Sequence, residues 1–307
     1  MKRFTVFIII LVILGAAIFI KPALTFLVRK QLEKALLGSD VRIGTCGFMP
    51  LKQLVFFDIE IKKQKTYDFR IKQASISYSL FSLLNGNILK LELKDVSLGP
   101  VAVKDLELSD IHIKLKPEEA SVLGNLSIPQ IKYNKAKISN IHAKLRLKDK
   151  ILFLDSLTAQ IFDGKVEVSL SLNMDKGMDY EAALNFINLD IDRLIRDFDL
   201  KEKFQMTGAL GGKVFLTGSG SDINSVEGAL ASTGAGGLLT ITDKRFLGNL
   251  ARTSQQSLDI LLESFKNYHY NRGIVKLGME KGNLVLDVHL DGEAGKRNLS
   301  IVVHDFN

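Results

Sequence analysis

From Val41 onward the dominant period of the chain is two. Val55, Phe57, Ile59 and Ile61 alternate with Asp58, Glu60 and Lys62, and Leu89, Leu91 and Leu93 alternate with Lys90, Glu92 and Lys94. Ile111, Ile113 and Leu115 are interleaved with His112, Lys114 and Lys116, and Val166, Val168, Leu170 and Leu172 with Glu167, Ser169 and Ser171. Near the end, Leu284, Leu286, Val288 and Leu290 alternate with Val285, Asp287 and His289. This spacing predicts strands with one apolar and one polar face, as in an antiparallel sheet wet on one side. Turn residues separate the strands at Asn85-Gly86-Asn87, Asp163-Gly164, Asp175-Lys176-Gly177, Lys281-Gly282-Asn283 and Asp291-Gly292. Where the phase slips, as Phe69 and Ile71 give way to Ala74, Ile76 and Tyr78, the pattern predicts bulges or bends that curve a sheet.

Two stretches have helical spacing instead. Asp190 to Phe198 predicts a short helix with Ile191, Leu194, Ile195 and Phe198 on one side. Asp243 to Asn267 predicts a longer one, capped by Asp243, with Phe246, Leu250, Ser254, Leu258, Leu261 and Phe265 on a common face. Between them, Thr207 to Leu238 is rich in glycine, which among strand residues marks bulges, bends or close backbone approach.

The N-terminus departs from both patterns. Lys2 and Arg3 precede an unbroken apolar run from Phe4 to Ile20, which includes Ile8, Leu11, Leu14 and Ile18. As a helix those residues span roughly 26 Å, at the short end of what crosses a bilayer. A cleaved signal peptide is the rival, with Gly15-Ala16-Ala17 as its best cleavage site, but cutting there leaves Ile18-Phe19-Ile20 exposed at the new terminus. An uncleaved single-pass anchor is therefore expected. Basic residues flank both ends, so the positive-inside count does not choose an orientation. The expected organisation is an anchor over residues 1–28, a juxtamembrane linker over 29–40, a β-groove region over 41–242, and a helix with closing strands over 243–307.

Composition removes several function classes. A single Cys among 307 residues, Cys46, excludes an intramolecular disulfide framework and a Cys-based zinc site, and reads as a buried small residue. His112, His142, His269, His289 and His304 have no metal-ligand spacing, and three of them occupy polar slots in alternating strands. Gly208 to Lys213 faintly resembles a phosphate loop, but Val214 stands where a Ser or Thr must bind magnesium. Gly218-Ser219-Gly220 lacks a dinucleotide fingerprint's third glycine. The net charge of +7 is spread along strand faces without interleaved aromatics, which argues against nucleic-acid binding. No metal site, cofactor or catalytic constellation is expected. An outer-membrane barrel conflicts with the anchor, the absence of Trp and the long helix.

An N-terminal anchor running into KPALTFLVRKQLEKALLGSDVRIGTCGF, followed by a long strand series, resembles the AsmA-like superfamily of envelope proteins. The segment from Leu189 to Ile241 is similar to that superfamily's late region, a short helix followed by glycine-punctuated strands. The stretch from Ser257 to Asn307 is similar to the closing region of its YdbH-type branch, through Leu262, Phe265, Tyr268, Tyr270, Gly282, Leu284, Leu286, Leu290, Gly292, Asn298 and Leu299. Glu293-Ala294 stand where that branch usually carries Asn-Pro.

The resemblance implies an inner-membrane protein of a Gram-negative envelope, its bulk in the periplasm, that moves phospholipids between inner and outer membranes. It also implies a mainly β fold, an elongated and curved antiparallel groove (a β-taco). The alternating apolar positions are then the expected groove lining. These are Val55, Phe57, Ile59, Ile61, Leu89, Leu91, Leu93, Ile111, Ile113, Leu115, Val166, Val168, Leu170, Leu284, Leu286, Val288 and Leu290. Some fifteen strands about 4.8 Å apart give a groove of roughly 70 Å, shorter than the expected periplasmic gap. A small outer-membrane lipoprotein, associated with the YdbH-like branch, is the expected partner, extending the groove at a sheet edge around Leu299 to His304. The alternative reading is a non-catalytic, membrane-tethered scaffold or assembly factor whose apolar face is buried within itself.

Overall fold

The computed structural model describes residues 22–303 except 23, 35–38, 50–51, 64–66, 80, 83–84, 86, 100, 115–120, 134, 175–177, 203, 221, 242, 244–246 and 249–256. The expected anchor, Phe4 to Ile20, lies outside these residues, as do Leu115, the Asp175-Lys176-Gly177 turn and His304. Residues 24–34 are helical. Among the described residues, no helix is long and apolar enough to cross a membrane.

The chain is mainly β and divides into two compact units, Met1–Asn134 and Lys135–Asn307. The first holds β1 (Asp40–Met49), β2 (Gln53–Lys63), β3 (Tyr67–Ser77), β4 (Asn87–Leu98), β5 (Val101–Lys114) and β6 (Ser121–Tyr133). The second begins with β7 (Ala136–Lys148), β8 (Ile151–Ile161), β9 (Gly164–Asn173) and β10 (Asp179–Asp190). It continues with β11 (Phe204–Met206), β12 (Ala209–Ser219), β13 (Asp222–Thr233), β14 (Gly237–Ile241) and β15 (Tyr268–Tyr270). It closes with β16 (Arg272–Glu280), β17 (Asn283–Gly292) and β18 (Gly295–Val303). Fifteen strands follow one another in a single antiparallel sheet, with β1 and β18 at its ends, while β11, β14 and β15 form a second, three-stranded sheet.

In the first unit the phase slips line up. Ile43, Ile59, Ile71, Val96 and Val103 pair across β1 to β5, and so do Cys46, Phe56, Ala74, Leu93 and Leu106. Each strand carries two residues between these rows, one more than strict alternation allows. Asp58 and Asp95 absorb the excess at φ 54 and 49. Aspartate and asparagine reach this left-handed region more readily than other side chains, which is why polar residues stand at the slips. The same device recurs at Asp110, Asn140, Ser156 and Asn188. The aliphatic residue that follows is buried in five of the six cases: Ile59, Val96, Ile111, Ile141 and Leu189; Leu157 is half-buried. Replacing Asn188, at φ 52, with valine is expected to cost about 1–3 kcal/mol in a urea melt. Glycine there should change stability far less, because it has no Cβ to clash.

The hairpin turns use left-handed pairs. Phe162-Asp163 joins β8 to β9 and Lys281-Gly282 joins β16 to β17. The last hairpin turns at Glu293-Ala294, not at the expected Asp291-Gly292, because Gly292 still pairs with Gly295. In the glycine-rich stretch, Gly212 at φ 153 lies so close to the Ala229 carbonyl of β13 that no Cβ fits.

The expected short helix forms as α1 (Ile191–Asp197), where Asp190 Oδ1 accepts the Arg193 N–H at 2.8 Å. Ile191 and Ile195 are buried, but Phe198 is 49% exposed and does not join their face. Asp190→Ala is expected to cost about 1 kcal/mol, read as a shift in thermal midpoint. The expected Asp243–Asn267 helix is described in part. The Leu247 N–H donates to the Asp243 carbonyl at 3.1 Å, and a separate helix, α2 (Leu258–Ser264), starts at its own cap, Ser257. Phe246, Leu250 and Ser254 lie outside the described residues.

Candidate functional site

The register sorts the alternating residues onto faces. In the first unit the apolar face of β2 carries Leu54 and Phe56 on one side of Asp58, and Ile59 and Ile61 on the other. Val55 and the 36%-exposed Phe57 therefore point away from Ile59 and Ile61, a correction to the expected shared face. The extra residue at Asp58 reverses the alternation. Leu89 is corrected likewise: it falls between the paired Ile88–Ile111 and Lys90–Ser109 beside Asp110, is 51% exposed, and Ile88 takes its place beside Leu91 and Leu93. Ile111 is buried and Ile113 half-buried on this same face.

Burial on this face is uneven: Val41 and Ile61 are buried, whereas Ile43, Leu93 and Leu106 in the rows flanking the slips are half-buried. Phe56, Ile59, Ile71, Ala74, Val96 and Val103, beside the aligned slips, are all buried. One step further out, the cross-strand row Leu54, Ile76, Leu91, Leu108 and Leu126 is half-buried throughout.

The second unit repeats this arrangement on a longer scale. Leu157, Val168, Leu184, Val214, Gly228, Leu277, Leu286 and Ile301 pair successively across eight strands, and every one except Val214 is half-buried. A parallel row runs from Leu154 through Leu170, Ala182 and Leu216 to Val226, again half-buried until its last member. Val166 is buried, whereas Val168 and Leu170 are not. Along β17 the contrast is sharper: Leu290 and Val288 are buried, while Leu286 and Leu284 on the same face are half-buried.

A distinct cap causes that difference. Leu239, Ile241, Leu247, Leu261, Phe265, Tyr268 and Tyr270 pack with Val288, Leu290 and Leu299 into one core. Tyr270 donates its hydroxyl proton to the Thr207 carbonyl at 2.6 Å, and burial pushes the phenol up from 10.0 to about 12. The folded phenol thus holds its proton more tightly than the unfolded one. Its stabilisation is complete below pH 10.0 and is lost as the pH rises to about 12. Tyr270→Phe is expected to lose less stability than the parent across that window in alkaline thermal melts.

The opposite face is polar and laced with exposed ion pairs. Lys90 contacts Glu92 at 2.6 Å and Glu107 at 2.9 Å; these hydrogen bonds hold the ammonium above its ordinary value. Lys90 likewise draws the Glu92 carboxyl below its own, with Ser75 Oγ donating to the same carboxylate at 3.2 Å. The Lys165 hydrogen bond lowers Glu167 similarly. Exposed pairs of this kind contribute about 0–1 kcal/mol each; they keep this face wet more than they hold the fold. A cavity of about 810 Å³ near Asn140, Gln160, Asn188 and Arg193 lies on the polar side, not over the apolar rows.

Cys46 is buried in β1, as a small core residue would be. His112, His142 and His289 occupy exposed polar slots; His112 bonds Asn87 at 2.7 Å and His289 bonds Asn298 at 2.8 Å. Among the described residues no three His, Cys, Asp or Glu side chains gather as metal ligands.

The model of the AsmA family matches residues 99–235, from the end of β4 to the glycine-rich strands. Over that stretch the chain is similar to the AsmA family. AsmA-like proteins are associated with the cell envelope. No curated protein and no solved structure matches the chain. The matched stretch contains much of the half-buried apolar surface described above, including Leu108, Leu126, Leu157, Val168 and Leu184. Sequence reading missed Ile88, Leu54 and Phe56. The polar residue at a slip followed by an aliphatic one is the signal, Asp58-Ile59 for Leu54 and Phe56, and Asp110-Ile111 of the paired strand for Ile88.

Proposed function

We propose that this AsmA-like chain moves phospholipids between the inner and outer membranes of a Gram-negative envelope. It is held in the inner membrane by Phe4–Ile20, with its bulk in the periplasm and acyl chains carried along the apolar rows of its sheet. The half-burial of the eight-strand row from Leu157 to Ile301 carries the reading. Fully packed sheet faces bury such leucines, and a face left half-open offers continuous apolar contact to a chain of CH₂ groups. Each CH₂ kept from water contributes about 0.8 kcal/mol, enough to lower the barrier to crossing an aqueous gap when summed along an acyl chain. Headgroups stay in solvent, and no bond is made or broken.

The C-terminal likeness supports the YdbH-type branch, and with it a small lipoprotein partner in the outer membrane. β18 ends the strand order, so its outward backbone groups are the docking edge. Organic extraction of protein purified without added lipid is expected to yield phospholipid. An empty protein would instead favour an envelope scaffold with a self-sealed interior.

A further inference from the structure

Arg297 is a charged side chain on an otherwise apolar face. It stands in β18 opposite Leu290, in line with Leu299 and Ile301, at the capped end of the strand. Its guanidinium lies over the Tyr268 ring at 5.0 Å, and one terminal nitrogen donates to the Lys296 carbonyl at 3.1 Å. Nε is buried with no hydrogen-bond partner, and no carboxylate among the described residues pairs with the group. The surrounding pocket, about 470 Å³, is lined also by Ile260, Lys266 and His269, and by Glu263 and Glu293, neither of which reaches Arg297. An orphaned buried N–H on a cation is expensive, and a guanidinium suits a carboxylate that accepts two of its N–H groups together.

We propose that Arg297 is a selectivity site for an acidic residue in the strand that adds to β18. The inference rests on the reading of β18 as a docking edge. Cross-strand neighbours share a face with Cβ atoms about 5 Å apart, so a strand laid along β18 sets one side chain beside Arg297. The next alternate positions stand beside Leu299, Ile301 and Val303. An antiparallel partner then reads, from its N-terminus, as three alternating apolar residues followed two positions later by Asp or Glu. Val303, 38% exposed, gives such a strand an apolar start.

The test uses the full chain and two synthetic peptides, Val-Thr-Val-Thr-Val-Thr-Glu and its twin ending in Gln, both C-terminally amidated, with binding read by fluorescence anisotropy. The Glu peptide is expected to bind about tenfold tighter than the Gln peptide, with the difference abolished in Arg297→Gln. Equal binding of the two peptides overturns the role of Arg297 while leaving the docking edge standing. Failure of both to bind removes the edge and the proposal with it. Because the comparison is made between peptides on the unaltered chain, poor folding of the variant does not blunt it. Loss of the Glu preference in millimolar inorganic phosphate, with peptide binding retained, would also overturn it, assigning Arg297 to a phosphate.

Discussion

Leu170→Asp is expected to reduce the phospholipid that co-purifies with the protein by roughly tenfold or more. Leu170 lies between Leu154 and Ala182 in a half-buried row. A carboxylate there must stay hydrated, and it displaces any acyl chain from its surroundings. Losing contact with two CH₂ groups costs about 1.6 kcal/mol, close to a factor of ten, and disruption of a longer stretch costs more. Ser169→Asp introduces the same charge one residue away, on the polar face, where Ser169 is exposed. That variant should keep its lipid. Thermal midpoints taken alongside separate loss of lipid from loss of fold, because a half-buried site tolerates a charge far better than a sealed core.

Phe265→Ala should be among the most destabilising single changes. Phe265 is 2% exposed, caps α2, and packs with the residues of β14, β15, β17 and β18 that close one end of the apolar face. Truncating a buried Phe costs about 3–5 kcal/mol, which for a unit of this size lowers the midpoint by on the order of 10 °C. Phe198→Ala is the comparison. Both residues end a helix, but Phe198 is half-exposed, and its main aromatic contact is a tilted one to Phe162 at 5.8 Å. Its loss should cost less than about 1 kcal/mol. Similar costs for the two would show that the cap is not the closed core described.

The strand content and the count near fifteen were readable because period-two alternation persists on either side of each slip. β17 shows this well: Leu284 to Leu290 share a face as their spacing predicts. Face assignment failed where the phase was reset, at Phe57 beside Asp58 of its own strand and at Leu89 beside Asp110 of the neighbouring strand, both at positive φ. Alternation counts residues, whereas a face counts pleats, and a left-handed Asp consumes the first without adding the second. The depth of burial was not readable at all. Val166 and Leu170 look alike in sequence, and what separates them is which parts of the sheet face something else. Ser257 was missed as a helix start because the apolar stripe extends upstream of it.

Photo-crosslinking in cells tests the central claim most directly. A benzophenone residue replaces Leu157, Leu184 or Leu286 in the half-buried row, or Asn185, Lys213 or Asp287 on the polar face, in otherwise full-length protein. Phospholipid adducts from the first three positions and none from the second three are the predicted result. Adducts from both sets alike, or from neither, would contradict a lipid path along the apolar rows.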